Sequence, residues 1–418
     1  MKFAFLPLLA LGSFAQEIDA GLARVEITPS GSMPMYGYAN RKCGPSTGVH
    51  DPLFAKVLIL RGGGVQLGIV TADLGSLVSA RLHEEAERLG IKPLLLAASH
   101  SHSTPAFIPP SVSAEQGAPY RREVEDKILG ALKQARQSMF PARFGVGSGK
   151  IQAGYNRLVK RDDGRARALF DNLERIPLTP VDPEFMILRV DGRAGNAKAV
   201  LVHYAVHAVV LGSTNCKYSA DYPGVLQARL EAELPGAQAM FVQGAAGDIN
   251  PLFMARTGRE DDDFATVRKF GEWIAASVAP AARAIATAPW TGAIRHTTET
   301  LRFHERWDKA KTMDVGLTTV LIGKDISLAA MPGEPLHRLQ TRWKREADVP
   351  HAFFYGYTDS TGAAWPGYLP DLRSAAYGGY GADVTTRIEI GAGERMVDRH
   401  LIHLFGLRGM WLDQPGKP

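Results

Sequence analysis

The chain has 418 residues, 45% of them hydrophobic and 22% charged, a balance that supports a large packed core and excludes a disordered or fibrous polymer. Its 48 basic and 43 acidic residues give a formal net charge of +5, but the basic residues are spread out with no run among them, which argues against nucleic acid as a partner.

Met1 to Ala15 reads as a secretory signal peptide: Lys2 supplies the positive start, Phe3 to Leu11 a short apolar stretch, and Ser13 and Ala15 the small residues near the cleavage point. The apolar stretch is too short to span a bilayer, and no later segment reads as transmembrane. The expectation is therefore an exported, soluble protein. Export permits a disulfide. Cys43 and Cys216 offer one bridge, and two unpaired thiols are an equal reading, because sequence does not show whether the two Cα atoms approach within bonding range.

Ala20 to Ile27 has the pattern of a first strand, closed by Thr28-Pro29-Ser30-Gly31, and a Gly- and Pro-rich loop follows to Ser46. Asp51 to Arg61 is a second strand; Gly62-Gly63-Gly64 makes a tight turn and Val65 to Thr71 pairs back, with Asp73 at its end. Ser79 to Leu89 has helical periodicity and Gly90 as its stop. Pro93 to Leu96 is a buried strand that delivers Ser99-His100-Ser101-His102-Ser103. This strand–helix–strand unit predicts an α/β fold, layered, with a mixed β-sheet and flanking helices.

Arg121 to Met139 is an amphipathic helix with Val124, Ile128, Leu132 and Ala135 on one face. Strands are predicted at Ala142 to Val146, Gly149 to Gly154, Pro183 to Val190 and Ala197 to Tyr204, the last leading into Val206-His207-Ala208. A helix from Tyr222 to Leu234 and a strand from Ala237 to Gln243 precede Gly244-Ala245-Ala246-Gly247-Asp248-Ile249-Asn250-Pro251. Phe264 to Ala288 is the longest helical pattern, followed by strands at Arg295 to Arg302, Asp314 to Ile322 and Ile326 to Met331. A helix is predicted from near Glu334 to Ala347, then a strand at Ala352 to Thr358, a Gly- and Tyr-rich stretch from Trp365 to Ala382, and a last helix from Met396 to Leu404. No repeat or linker interrupts the pattern, so residues 16–418 are expected to form a single domain.

His100, His102, His207 and Glu334 each follow an apolar strand candidate. Strand ends are where crevices open in α/β sheets, and a mononuclear zinc site needs three or four N and O donors converging there. Two histidines two apart face opposite ways on a continuing strand but share one cavity if the chain turns. Taken alone, the pair reads equally well as a polar loop, His207 as a core histidine, and Glu334 as a helix-start carboxylate. Asp73, Asp221 and Asp248 are candidates either to orient imidazole N–H groups or to cap helices.

Several stretches together resemble the neutral, non-lysosomal ceramidase family: AGLARVEITPS from Ala20, SHSHS at Ser99 to Ser103, YNR at Tyr155 to Arg157, FVQGAAGDINP at Phe241 to Pro251, MPGEP at Met331 to Pro335, and GYLPDLRSAAYGGY from Gly367 to Tyr380. The resemblance implies a catalytic domain without the C-terminal β-sandwich of longer members. It also implies a Zn2+ ion held by His100, His207, Glu334 and Tyr368. His102 would then handle protons, and Arg157 and Tyr380 would contact the substrate or its oxyanion. The implied reaction is cleavage of the amide of ceramide or a related N-acyl lipid by a zinc-activated water. Thr104-Pro105-Ala106 and Pro335-Leu336 differ from the family's usual residues and imply an altered substrate entrance. A same-fold zinc hydrolase acting on another amide or ester, and a binding protein without turnover, are the competing readings. The modest positive charge is compatible with peripheral contact at an anionic membrane surface. No obligate protein partner is evident.

Overall fold

The computed structural model describes residues 17–107, 114–173, 181–290 and 292–411. The expected signal peptide lies outside the described residues. Two sheets stack face to face, each covered on its outer side by helices. The larger sheet has ten strands. Its path runs Gln238–Gln243, Ala197–Tyr204, Glu184–Gly192, Phe140–Lys150, Asp19–Glu26, Phe54–Gly62, Val65–Ala72, Leu94–Ala98 and Thr358–Asp359, with Ala288–Pro289 pairing off Phe140–Lys150. It is mixed: Ala197–Tyr204 with Gln238–Gln243 and Val65–Ala72 with Leu94–Ala98 are parallel, and most other pairs are antiparallel. The smaller sheet orders Ile294–His304, Thr312–Ile322, Ile326–Ala330 and His351–Tyr355.

The apolar alternation of the strands explains the layering. Leu58, Leu60, Ile69, Leu95, Leu201 and Val242 of the large sheet meet Val320, Ile322, Leu328 and Phe353 of the small one. The opposite face of the large sheet buries Val57, Ile59 and Val70 under helix Ala114–Gln137, and Val200, Val202 and Phe241 under helices Asp221–Glu233 and Glu260–Ala284. The outer face of the small sheet is covered by Leu339 and Trp343 of helix His337–Glu346 and by Met396, Val397 and Leu404 of helix Ala392–Leu407. No helix among the described residues is long and apolar enough to cross a membrane.

Sheet twist of about 20–25° per strand pair accumulates across so many strands and swings the two ends of the large sheet together. Gln243, at the end of its strand, donates to the carbonyls of Ser99 (3.2 Å) and Val206 (2.8 Å), tying one sheet end to the other. Loops that follow strands far apart in the sheet order thereby share one cleft.

Several predicted boundaries differ: the helices expected from Arg121, Phe264 and Met396 begin at Ala114, Glu260 and Ala392, and two further segments differ in kind. Ala142 to Val146 and Gly149 to Gly154 were expected as separate strands, but Phe140–Lys150 is one strand. Gly145, Gly147 and Gly149 remain in it because Ile285 and Phe185 occupy the space where their side chains would be. The helix expected from near Glu334 begins at His337. Glu334–Pro335 is extended and pairs in parallel with Tyr368–Leu369. Proline disfavours the helical conformation in the residue before it, which places Glu334 on the extended segment. Cys43 and Cys216 form a disulfide, joining the loop before the second strand to the loop that enters helix Asp221–Glu233.

Candidate active site

Strand Leu94–Ala98 ends two residues before His100, whose φ of 62° turns the chain out of the sheet. This left-handed conformation costs a non-glycine residue about 1–3 kcal/mol. It is held by a hydrogen bond from the His100 amide to the Leu74 carbonyl (2.9 Å). The turn brings His100 and His102 to one side, with their Nε2 atoms 3.2 Å apart. Gly37 allows a loop to close on the His102 ring: its φ is 97°, and a Cβ there would collide with the imidazole.

His100 Nδ1 lies 2.6 Å from the Gly75 carbonyl, and His207 Nδ1 lies 2.6 Å from the Ala246 carbonyl. A carbonyl only accepts, so each Nδ1 carries the hydrogen and each Nε2 presents a lone pair. His100 Nε2 is 3.2 Å and His207 Nε2 3.7 Å from Glu334 Oε2. Both His207 Nε2 and Glu334 Oε2 are buried without a hydrogen-bond partner. Acceptors aimed at one another in a dry interior are unfavourable unless a cation or proton lies between them. Nitrogen atoms of His100, His102 and His207 lie within 4.8 Å of one another. The donor set therefore fits a metal ion.

Burial, and then neighbouring imidazoles and guanidinium groups, lower His102 and His207 well below the ordinary imidazole range, so both rings are neutral at pH 7. Burial and then the Glu334 carboxylate push the Tyr368 hydroxyl well above the ordinary phenol range, with the Arg157 guanidinium acting against both. Tyr368 stands opposite Glu334 in the two-residue parallel bridge. Its hydroxyl accepts from Arg157 Nη2 at 3.1 Å. Arg157 also donates to the Gly247 carbonyl (2.7 Å) and to Asn250 Oδ1 (3.2 Å). Gly247 is needed where it lies, since a Cβ would come 2.6 Å from the Glu334 carbonyl oxygen.

His102, Arg157 and Tyr368 open onto a pocket of about 510 Å³ whose further walls include Tyr38, Phe170, Arg256 and Tyr380. Tyr380 sits at its rim, its ring 5.5 Å from that of Tyr368. The predicted residues His100, His102, His207, Glu334, Tyr368, Arg157 and Tyr380 are thus brought together.

The three aspartates do not orient the ligand rings. Asp73 accepts from the Phe54 amide and from Gln227, and burial pushes it up to about 6. Asp221 accepts from the amides of Leu211 and Tyr222. Asp248 pairs with His337 Nδ1 at 2.8 Å and accepts from Asn156. Backbone carbonyls hold the imidazoles because the chain already turns beside them. The altered entrance residues are also relocated. Thr104 is buried, receives the Gly75 amide on its hydroxyl (3.0 Å), and so steadies the carbonyl that holds His100. Pro335 and Leu336 are buried, and the Pro335 carbonyl accepts from Gly247. None of these residues lines the pocket.

Sequence reasoning missed Tyr357. It is fully buried, its ring lies 4.3 Å from His100, and its hydroxyl has no hydrogen-bond partner. It follows strand His351–Tyr355, so the same strand-end rule applies to it. Arg41 was also missed; it donates to the His102 carbonyl at 2.6 Å and to Asn215, beside the disulfide.

Residues 19–268, more than half of the chain, match the family described as "Neutral/alkaline non-lysosomal ceramidase, N-terminal". The chain belongs to this family. It is 27% identical over 187 residues to neutral ceramidase A of Dictyostelium discoideum, covering 40% of this chain and 25% of that protein. Neutral ceramidase B of the same organism is 26% identical over 186 residues, with the same shares of each chain covered. The match thus spans about a quarter of the length of these curated ceramidases. Among solved structures, the neutral ceramidase of Pseudomonas aeruginosa superposes with a TM-score of 0.75 at 18% identity, covering 96% of this chain and 76% of that one. A ceramidase complexed with C2 gives a TM-score of 0.75 at 16% identity, covering 96% and 77%. These two structures share the layered fold described above.

Proposed function

We propose that this chain is an exported zinc-dependent amidase that hydrolyses the amide of ceramide or a closely related N-acyl lipid. The observation that carries the reading is the convergence of the His100, His207 and Glu334 lone pairs beside the Arg157–Tyr368 pair, at the base of an open pocket. Membership of the ceramidase family supports the amide as the bond cleaved.

His100, His207, Glu334 and Tyr368 would hold the ion. Bound zinc supplies Lewis acidity, favours the Tyr368 phenolate, and makes water acidic enough to act as a nucleophile near neutral pH. His102 is neutral, and its Nε2 faces the cluster, so it accepts the proton of the attacking water there and returns it to the leaving amine. Arg157 and Tyr380 face the pocket where the substrate carbonyl would sit and stabilise its developing negative charge. Phe170 and Met254 supply apolar wall for an acyl or alkyl chain.

Metal analysis of the purified chain, with turnover of a long-chain ceramide and a short N-acyl amide before and after chelation, tests the reading. The expected result is about one zinc per chain, activity lost to chelator and restored by zinc, and higher kcat/KM on the ceramide, because remote binding energy is used in the transition state. Full activity after complete metal removal would overturn the metal assignment. Equal or better turnover of the short amide would overturn the lipid assignment.

A further inference from the structure

We propose that the face around the pocket mouth docks on an anionic lipid bilayer, so that the pocket opens against the surface that holds its substrate. Four apolar side chains project there: Val384 is 78% exposed, Trp307 64%, Phe170 46% and Tyr380 41%. They lie on segments that adjoin at one rim. The Phe170 and Tyr380 rings meet at 5.3 Å, and both line the pocket. Val384 lies in the turn after Tyr380, which is closed by bonds from the Gly379 amide to Asp383 (2.8 Å) and from the Gly381 amide to Thr385 (2.7 Å). The Trp307 indole N–H donates to the Thr386 carbonyl of the same turn at 2.9 Å. Exposed apolar side chains standing singly need no explanation, whereas a connected patch marks a contact surface. Tryptophan and tyrosine suit the headgroup region, with an apolar body and a polar tip.

The charge around this rim complements anionic headgroups. The hairpin Leu158–Lys160 with Ala166–Ala168 packs on the same loop, its Leu158 and Ala166 lying beside Gly379. Lys160 and Arg373 both lie over the Tyr377 ring, at 4.9 and 5.4 Å, and Arg306 donates to the Ala382 carbonyl. Among the described residues, Lys160, Arg167, Arg306, Arg373 and Arg387 form no ion pair. Of the nearby acids, Asp171 pairs with Arg256, Asp308 with Lys311 and Asp163 with Arg161, whereas Asp162, Glu305 and Asp383 form no ion pair among the described residues, so the five unpaired cations outnumber three unpaired carboxylates. An apolar rim with unbalanced cations beside it is the pattern of a protein that lies on a negatively charged membrane.

The inference rests on the lipid-amide reading only for the origin of the substrate. Docking is measured without turnover, so the two fail separately. The full chain is sedimented with vesicles of phosphatidylcholine alone or of phosphatidylcholine mixed with phosphatidylglycerol. Expected is preferential binding to the mixed vesicles, weakened by salt, with a blue shift in tryptophan emission that Trp307→Phe removes. Val384→Ser lowers partitioning about 3–10-fold, as for partial burial of one aliphatic side chain. Arg373→Glu and Arg387→Glu each lower it about fivefold or more. Turnover of a short, water-soluble N-acyl amide by these three variants stays at the wild-type level. The comparison of the two vesicle types requires no variant. Equal binding to both, or binding to neither, overturns the proposal, as does wild-type binding by the valine variant and both charge reversals.

Discussion

Replacing Arg157 by lysine keeps the charge and removes the fork. In the folded chain the guanidinium is buried, bonds to three oxygens at 2.7, 3.1 and 3.2 Å, and lies against the rings of Phe170 and Tyr380. One ammonium on a single stem cannot replace a planar group that reaches Gly247, Tyr368 and Asn250 together. At least two charge-assisted hydrogen bonds are lost, each worth about 1.5–3 kcal/mol, so roughly 3–6 kcal/mol divides between folding and transition-state binding. The Tyr368 hydroxyl loses its donor and the pocket loses its aligned N–H groups. The expected outcome is a fall in kcat/KM of about 10²–10³-fold, as for loss of one oxyanion-stabilising donor. Bound metal stays near wild type because Arg157 holds none of the other three residues: the Gly75 and Ala246 carbonyls orient the His100 and His207 rings, and Glu334 lies on an extended segment paired with Tyr368–Leu369. Steady-state kinetics on a soluble N-acyl amide, metal analysis and urea unfolding of the same preparation separate the two shares. Wild-type kcat/KM in a lysine variant with full metal would refute the assignment of the fork to the reaction.

His102→Ala should keep metal content near wild type and lower turnover by about 10²–10⁴-fold, the worth of a positioned proton-transfer group; loss of the metal would make His102 a ligand. Converting Cys43 and Cys216 to serine removes a bridge that spans 173 positions and should cost about 2–5 kcal/mol in urea unfolding. Tyr38, which lines the pocket, and Arg41, which donates to the His102 carbonyl, would then be held less firmly, so KM should rise. Unchanged unfolding and KM would contradict both effects. Acid sensitivity should have a component from His400, which burial, and then the charge of His403, lower to about 3. Its unfolded value is about 6.5, so the unfolded chain takes up this proton first. Stability is therefore lost as pH falls from about 6.5 towards 3, by about 1.4 kcal/mol per pH unit for one proton. His400→Asn should flatten this limb in urea titrations between about pH 6.5 and 4; an unaltered slope would show that His400 does not carry it.

Much of the site was legible because apolar runs ending in His100, His207 and Glu334 mark strand ends, and strand ends gather ligands. The layered α/β class followed from the same alternation of strand and helix patterns. What was not legible depends on distance along the chain. No local pattern shows that the large sheet curls until Gln243 reaches Ser99, nor that Cys43 meets Cys216. The partners of the imidazoles are carbonyls of Gly75 and Ala246, and a carbonyl has no signature in a sequence. Carboxylates, by contrast, are plain in a sequence, yet Asp73, Asp221 and Asp248 bond to the Phe54 amide, the Leu211 amide and His337 instead of the imidazoles. The extended Glu334 was readable in principle, since a proline follows it. Glycines 145, 147 and 149 misled because a strand that yields room to Ile285 and Phe185 looks like a broken one.

The left-handed backbone at His100 sets two selective demands against each other. At a φ of 62° glycine bears no penalty, and asparagine bears less than most residues. His100→Gly therefore relieves the backbone and, in the same step, deletes a ring whose Nε2 faces Glu334. Chains chosen only for resistance to heat or protease would drift to glycine or asparagine at this position. Histidine would persist there under selection for chemistry, a trade-off of the kind seen where an active site is kept below the stability its fold could reach. Parallel enrichment of a position-100 library, once for protease survival and once for turnover, should yield different residues from the two arms.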